Sequence, residues 1–308
     1  MAILFGRGSF AKLAPEASYA TTGSYKTNAI RIIDASLQTT QQRDGRSHLT
    51  TSDGAIRTGF FDTFIESGGS ISVPVYFEGS TLLLKAMIGS IATTGGPTNF
   101  THKLESSTTD LDSFTLGLSR GSDANGYEVF TGCMVNSGTL TLNAGEEMTL
   151  SLDLIAQNSA ARAARPTPTY NATQKQIYHY EVTTDLTFNG VTYKVRSFEL
   201  TVENSLERRN VLGDKKTLSP DVVDYRSVQI SVELDAETNA LYTAMLAGTE
   251  SSVVLKVTET GGTNYMEIKL QNSIITDYSD PLSTVGRLAQ SVTFTGLAST
   301  TTEALQVE

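Results

Sequence analysis

The feature that most limits what this chain can fold into is an internal repeat of long period. Ile33-Asp34-Ala35-Ser36-Leu37-Gln38 aligns with Phe198-Glu199-Leu200-Thr201-Val202-Glu203 at an offset of 165. In both segments apolar residues (Ile33, Ala35, Leu37; Phe198, Leu200, Val202) alternate with polar or acidic ones, the period of a half-buried strand. A long polar segment follows in each half, residues 39–69 and 204–226. Next come the alternating runs Ile71, Val73, Val75, Phe77 and Ile230, Val232, Leu234, Ala236. Each half then holds one helical segment. The first is Ser80–Gly89, opened by a hydroxyl and closed by glycine; the second runs from about Thr238 to Leu246 and ends near Gly248. Strand pairs follow. Phe114–Leu118 turns through Gly121–Gly126 into Tyr127–Val135, and Val253–Val257 turns through Gly261-Gly262 into Tyr265–Leu270. Met148–Leu154 and Val292–Phe294 supply the last strands.

This order predicts a mainly β chain of two tandem antiparallel β-sandwich or partial-barrel units. Each unit carries one short helix and a long inter-strand loop. The expected organisation is an N-terminal arm (1–27), a first unit (28–158), a linker (159–176) and a second unit with a short C-terminal tail (177–308). Pro166, Pro168 and small residues mark the linker. A length of 308 residues accommodates two domains, and a composition rich in Thr, Ser, Asn, Gln and Gly favours strands over helices. Residues 1–160 hold ten basic and fifteen acidic side chains and residues 161–308 hold thirteen and eighteen, so both halves carry a net -5. A duplicated half-open sheet presents two similar sets of edges that need pairing or protection. Closure into a ring with other copies removes those edges, and a two-unit chain supplies two positions in such a ring.

The net charge of -10 argues against a nucleic-acid binder, which needs a basic face to neutralise phosphates. The one cysteine, Cys133, makes no internal disulfide, so nothing calls for an oxidising compartment. The opening Met-Ala-Ile-Leu-Phe-Gly-Arg does not read as a signal peptide, and no stretch approaches the ~20 apolar residues of a membrane helix. A cytoplasm-like solution is therefore expected, without a membrane partner. His48, His102 and His179 are scattered, so no metal site is expected. Gly117-Leu118-Ser119-Arg120-Gly121 matches the Gly-x-Ser-x-Gly pattern, but a turn into another strand follows it where a nucleophile elbow needs a helix. Gly6-Arg7-Gly8-Ser9 lacks the rest of a phosphate loop. Asn99-Phe100-Thr101 and Asn171-Ala172-Thr173 are chance sequons, and Glu146-Glu147 and Asp110/Asp112 read as solvated loop acids. The expectation is no catalytic residues, no cofactor and no enzyme.

The strand acids carry more information. Alternation puts Asp34 and Glu199 opposite the buried face, with Glu203, Glu233 and Asp235 on the same side and Glu78 and Glu237 at the strand ends. Bases are sparse there, although Arg31 and Arg196 lie close in sequence. A solvated acidic face is the plain reading; a concave or tubular face that repels polyanions is the functional one. Fields fade over ~8–10 Å at cellular salt, so such charges matter only when repeated around a ring and along a stack. The segments 39–69 and 204–226 exceed the usual ~12–15 residues of a structureless loop. Arg43, Arg46, Arg57, Phe60, Phe61, Phe64, Arg208, Arg209, Lys215 and Lys216 are the expected contacts if these segments dock on the next copy. Three phenylalanines in a free loop would otherwise be exposed.

Gly8-Ser9-Phe10-Ala11-Lys12-Leu13-Ala14-Pro15-Glu16-Ala17-Ser18-Tyr19-Ala20-Thr21 resembles the glutamate and Tyr-Gly/Ala-Thr opening of tailed-phage tail tube proteins. The continuation is similar too: strand, long loop, strand, the Leu82-to-Gly89 helix and Phe130-Thr131-Gly132-Cys133-Met134-Val135. The strand Thr139-Leu140-Thr141-Leu142 and the terminal Phe294-Thr295-Gly296-Leu297 complete the likeness. The resemblance implies an antiparallel sandwich that joins its neighbours in a closed ring around a lumen barrel. Most such proteins carry one unit and form hexamers; two units per chain imply a trimeric, pseudo-hexameric ring. It further implies a virion protein made in the host cytoplasm. Its partners would be itself, the tape measure, tail terminator and tail tip proteins, with DNA crossing an acidic lumen without specific binding during genome ejection. A two-module β-sandwich surface adhesin or carbohydrate-binding protein is the alternative; absent Trp and the helix repeated in both halves count against it.

Overall fold

The computed structural model describes residues 6, 8–25, 28–45, 59–77, 79–95, 100–106, 111–171, 175–235, 239–280, 289–297 and 305–308. The chain is mainly antiparallel β. Its first strands are β1 (Phe10–Pro15), β2 (Asp34–Ala35), β3 (Gln38–Gly45) and β4 (Phe60–Pro74), followed by helix α1 (Thr81–Ile88). Then come β5 (Gly89–Gly95), β6 (Phe100–Ser106), β7 (Phe114–Ser119), β8 (Tyr127–Asn143), β9 (Thr149–Ala156) and β10 (Asn158–Ser159). The second half has β11 (Val182–Phe188), β12 (Val191–Glu203), β13 (Leu206–Arg209), β14 (Leu218–Val222) and β15 (Ser227–Asp235). Helix α2 (Ala240–Leu246) leads to β16 (Ser251–Glu259), β17 (Tyr265–Ser279), β18 (Ala289–Gly296) and β19 (Leu305–Val307).

The pairings of the second half close on themselves in the order β11-β12-β15-β18-β17-β16, with β16 returning to β11. In the first half β1, β7, β8, β9, β4 and β2 pair in succession. A bridge just before β2 completes that cycle, Ala11 N–H to Ile30 O at 3.0 Å and Ile30 N–H to Ala11 O at 2.8 Å. The registers correspond as well: Ala35 faces Ile71 on β4 as Leu200 faces Ile230 on β15. Inside both rings lie the alternating apolar residues, among them Leu37, Ile71, Leu140, Leu150 and Leu152, then Leu200, Ile230, Leu255 and Phe294, in one continuous core.

Residues 10–15 are no free arm: β1 is a wall of the first barrel, with Phe10 and Ala14 fully buried. The two motifs that resemble the tail tube pattern meet beside it. The Glu16 carboxylate accepts from Ala20 N–H (2.8 Å), Ser113 Oγ (2.7 Å), Thr115 Oγ1 (2.7 Å) and Gly132 N–H (2.9 Å). Gly132 has φ +64°, and a Cβ there would stand 3.0 Å from the Tyr19 ring. Glycine thus serves both the left-handed turn and the close approach of Tyr19.

The described residues of the segment 159–176 are likewise bound down. Ala163 bridges Tyr127, Arg165 donates to Gly121 O (3.0 Å) and stacks on Phe10, and Gln176 bridges Tyr76. Prolines and small residues here lay the chain flat along the first barrel instead of tethering it loosely.

Both helices form where expected, α2 starting slightly later than its N-terminal signal suggests. The long polar segments also differ from loops. Residues 38–45 and 60–68 pair antiparallel, and 206–209 pairs with 218–222. Their polar composition hides strands whose partner is the chain's own return.

Replacing Glu16 by Ala leaves four side-chain or backbone donors, Ala20 N–H, Ser113 Oγ, Thr115 Oγ1 and Gly132 N–H, short of an acceptor. The expected loss is roughly 2–3 kcal/mol of stability, read as a shift of the denaturant midpoint; an unchanged midpoint contradicts the role given to Glu16.

Candidate functional site

The two barrels are not beads on a string. Ser137–Asn143 of β8 pairs with Ser197–Glu203 of β12 in antiparallel register, Leu140 opposite Leu200. One sheet therefore runs β2-β4-β9-β8-β12-β15-β18-β17 through both halves. Fully buried Asn204 locks the junction, its Nδ2 donating to Met87 O (3.1 Å) and Val135 O (3.0 Å). Asn136 Oδ1 accepts from Leu206 N–H (2.9 Å).

Strand alternation sends the leucines and isoleucines of this sheet inward and leaves the other face to small hydroxyls. These bond sideways from strand to strand: Ser36 with Ser70 (2.9 Å), Ser72 with Ser151 (2.8 Å), Thr141 with Thr149 (2.8 Å), and Ser231 with Thr293 (3.0 Å). Among them stand Asp34, Glu199, Glu203, Glu233 and Asp235, as alternation predicts, together with Asp153 between Ser70 and Ser137. Asp153 lies in the alternating run Leu150-Ser151-Leu152-Asp153-Leu154, where the same period-two signal marks it.

Not all of this charge is open. Arg196 reaches Asp235 at 2.5 Å and Glu233 at 3.6 Å, which offsets that pair. Arg31 leaves the face, donating to Tyr76 OH (3.4 Å) and lying over Tyr170. Asp34, Asp153, Glu199 and Glu203 have no basic partner among the described residues. Glu78 and Glu237 lie outside the described residues.

The β3–β4 hairpin projects from one end of this sheet. Phe60 is 66% exposed, Phe61 44% and Phe64 38%. The side chains of Arg43, Arg208, Arg209 and Lys215, singled out in the long segments, are engaged within the chain, and Lys216 is held through its backbone. Arg43 (3.0 Å) and Lys215 (2.9 Å) both pair with Asp62. Arg208 donates to the carbonyls of Ser67 and Ala156, and Arg209 pairs with Asp221 (3.1 Å). Lys216 bridges Ile65. The segment 204–226 thus docks on the first hairpin. Arg46 and Arg57 lie outside the described residues.

Ser119 sits on the buried strand β7 ahead of a turn into β8, so its surroundings are those of a hairpin and not of an elbow. Cys133 is fully buried, and desolvation pushes its thiol up, away from the reactive thiolate. No three of His, Cys, Asp and Glu converge on a metal-sized site among the described residues. No described helix is long and apolar enough to cross a membrane.

The described residues thus present a hydroxyl-covered sheet crossing both halves with an exposed aromatic hairpin beside it. A family model described as phage tail tube protein matches residues 6–296, and the chain belongs to that family. A search of the curated proteins finds no match. Membership gives the chain a structural role in the tail tube, a place in the virion tail and self-assembly into a tube alongside other tail components.

The paired cations hold the Asp62 carboxyl below its ordinary 3.8, hydrogen bonds from Lys215 and Arg43 being the main cause. Its folded pKa is depressed, so both ion pairs persist above the ordinary value and are lost as pH falls through the folded pKa. Carboxyl-carbon NMR should show Asp62 titrating below 3.8, with Lys215→Ala moving the midpoint up.

Proposed function

We propose that this chain is two tube units fused in tandem, that three copies close a ring, and that stacked rings form a conduit for DNA lined by the hydroxyl face. The observation that carries the reading is the eight-strand sheet shared by both halves. The repeated six-strand pairing cycle supports two equivalent ring positions per chain. The even strand count also keeps the alternation of strand direction intact when copies follow one another. Three copies contribute about 24 strands, which at ~4.8 Å spacing and ~40° tilt close a cylinder roughly 50 Å across at the backbone and roughly 40 Å clear of side chains. That bore admits duplex DNA.

The chemistry of the face suits passage. A polyanion is retained by Lys and Arg, which are scarce here, or by stacking on aromatics, which this face lacks along its paired strands. Serine and threonine hydroxyls that already bond one another offer little to phosphates. The acids Asp34, Asp153, Glu199 and Glu203 add a repulsive field. Single charges fade within ~8–10 Å, but repetition around each ring and from ring to ring makes the field continuous along the bore.

Stacking falls to the β3–β4 hairpin. Its exposed phenylalanines form an apolar patch that a neighbouring ring would cover. The docked segment 204–226 braces the hairpin through Asp62 and the Ile65–Lys216 bridge. This changes the role of Arg208, Arg209 and Lys215: they stiffen the stacking element from within instead of reaching the next ring.

Changing Asp153, Glu199 and Glu203 to Lys should leave tubes that look normal by negative-stain microscopy yet deliver several-fold less DNA. Normal delivery by such particles contradicts the conduit role of the face. Changing Phe60, Phe61 and Phe64 to Ser should give isolated rings at concentrations where the unaltered chain forms tubes; tubes of ordinary length contradict the stacking role.

A further inference from the structure

The junction between the two halves is a template for a second junction that the single chain leaves unmade. At the internal junction β12 lies against the far half of β8, beyond the part of β8 that pairs with β7. The corresponding edge in the second half is the far half of β17, beyond its pairing with β16. There, Ile274–Ser279 pairs with β18 on one side, and no described residue pairs with it on the other. The corresponding partner strand is β2 with its immediate neighbours (33–36), which pairs with β4 on one side and with no described residue on the other, the bridge to Ala11 lying earlier at Ile30. These two open edges are the opposite ends of the eight-strand sheet, so they do not meet within one chain.

Resting on the ring reading above, we propose that residues Ile33–Ser36 of one copy pair antiparallel with Asp277–Asp280 of the next, in a register fixed by the internal junction. The register follows from shared neighbours. Ala35 stands to Ile71 as Leu200 stands to Ile230. Ile71 faces Leu152 as Ile230 faces Phe294, which places Leu150 and Val292 at matching positions. Leu150 faces Leu140, and Val292 faces Tyr278. Because Leu140 faces Leu200 inside the chain, Tyr278 faces Ala35 between chains, and Ser279 faces Asp34 as Thr141 faces Glu199.

The side chains fit this assignment. Tyr278 and Ala35 are half-buried and packed at the margin of the core, whereas Asp34 and Ser279 are exposed on the hydroxyl face. Ile33 is 51% exposed although it continues an alternating apolar run. Helix α2 points the same way. At the internal junction Asn204, just past β12, bonds the carbonyl of Met87 in α1, and Met87 is fully buried. In the second half, Tyr242 and Leu246 are exposed. The β5–β6 hairpin also covers α1, so only part of this difference belongs to the junction. The occupant is a second copy of this chain because its own Ile33–Ser36 carries the alternation and open edge that the slot requires. Two unprotected edges on one sheet are otherwise a liability for uncontrolled pairing.

The test uses full-length Asp34→Cys/Ser279→Cys, two exposed positions, with Cys133 buried and out of reach. Opposed residues in an antiparallel pair have Cα atoms about 4.5–5.5 Å apart, within disulfide range. Mild oxidation of assembled tubes should shift the 33.1 kDa band on a non-reducing gel to two and three times that mass, reversibly with reductant. The displaced pair Asp34→Cys/Asp277→Cys should cross-link far less, and either single variant should stop at a dimer or below. Tubes by microscopy with no cross-link, or with equal cross-linking of the displaced pair, overturn the register and leave the tube reading standing. A ladder rising beyond three chains supports the junction and overturns the three-copy ring. No tubes or rings from the unaltered chain overturn the tube reading itself.

Discussion

The antiparallel pairing of Ser137–Asn143 with Ser197–Glu203 is the contact on which the rest depends. It converts two barrels into a single sheet with one apolar and one hydroxyl-bearing side. Without it, each half would expose a strand edge, and the hydroxyls of β4, β8 and β9 would not continue into those of β12, β15 and β18. Buried Asn204 makes the contact specific: its amide satisfies two carbonyls from α1 and β8 that would otherwise be stranded in the core.

Much of the architecture was legible in the residues. Ile33, Ala35 and Leu37 against Phe198, Leu200 and Val202 announce strands by period alone, and the acids between them turn outward as that period requires. The helix from Leu82 is marked by Ser80 and Gly89, although Ser80 serves differently than a simple cap. Its hydroxyl accepts from Tyr76 N–H at 3.0 Å.

Other parts were hidden for physical reasons. β3 is built from Gln, Thr, Arg, Asp and Gly with no apolar stripe, and β13 and β14 are only four and five residues long, too short for their few apolar residues (Leu206, Leu218, Val222) to stand out as strands; their stability comes from the returning strand and from docking. The wall position of β1 depends on β7, about a hundred residues away, and no local pattern encodes so distant a pairing. The cancelling of Glu233 and Asp235 by Arg196 is a cross-strand event. The hydroxyl bonds are hidden for another reason: Ser and Thr read locally as strand formers, and their lateral pairing exists only once strands distant in sequence lie side by side. Asp153 shares the period-two signal of its run, but the leucines Leu150, Leu152 and Leu154 dominate that strand's pattern.

Covalent fusion of the halves has a consequence for kinetics. The joint between β8 and β12 is made when a chain folds, at an effective concentration set by the covalent connection between the halves and independent of how much protein is present. Only the remaining joints await collision. On the three-copy ring proposed above, a three-body closure would replace a six-body one, so the onset of polymerisation would depend less steeply on subunit supply and fewer incomplete arcs would accumulate while a virion is under construction.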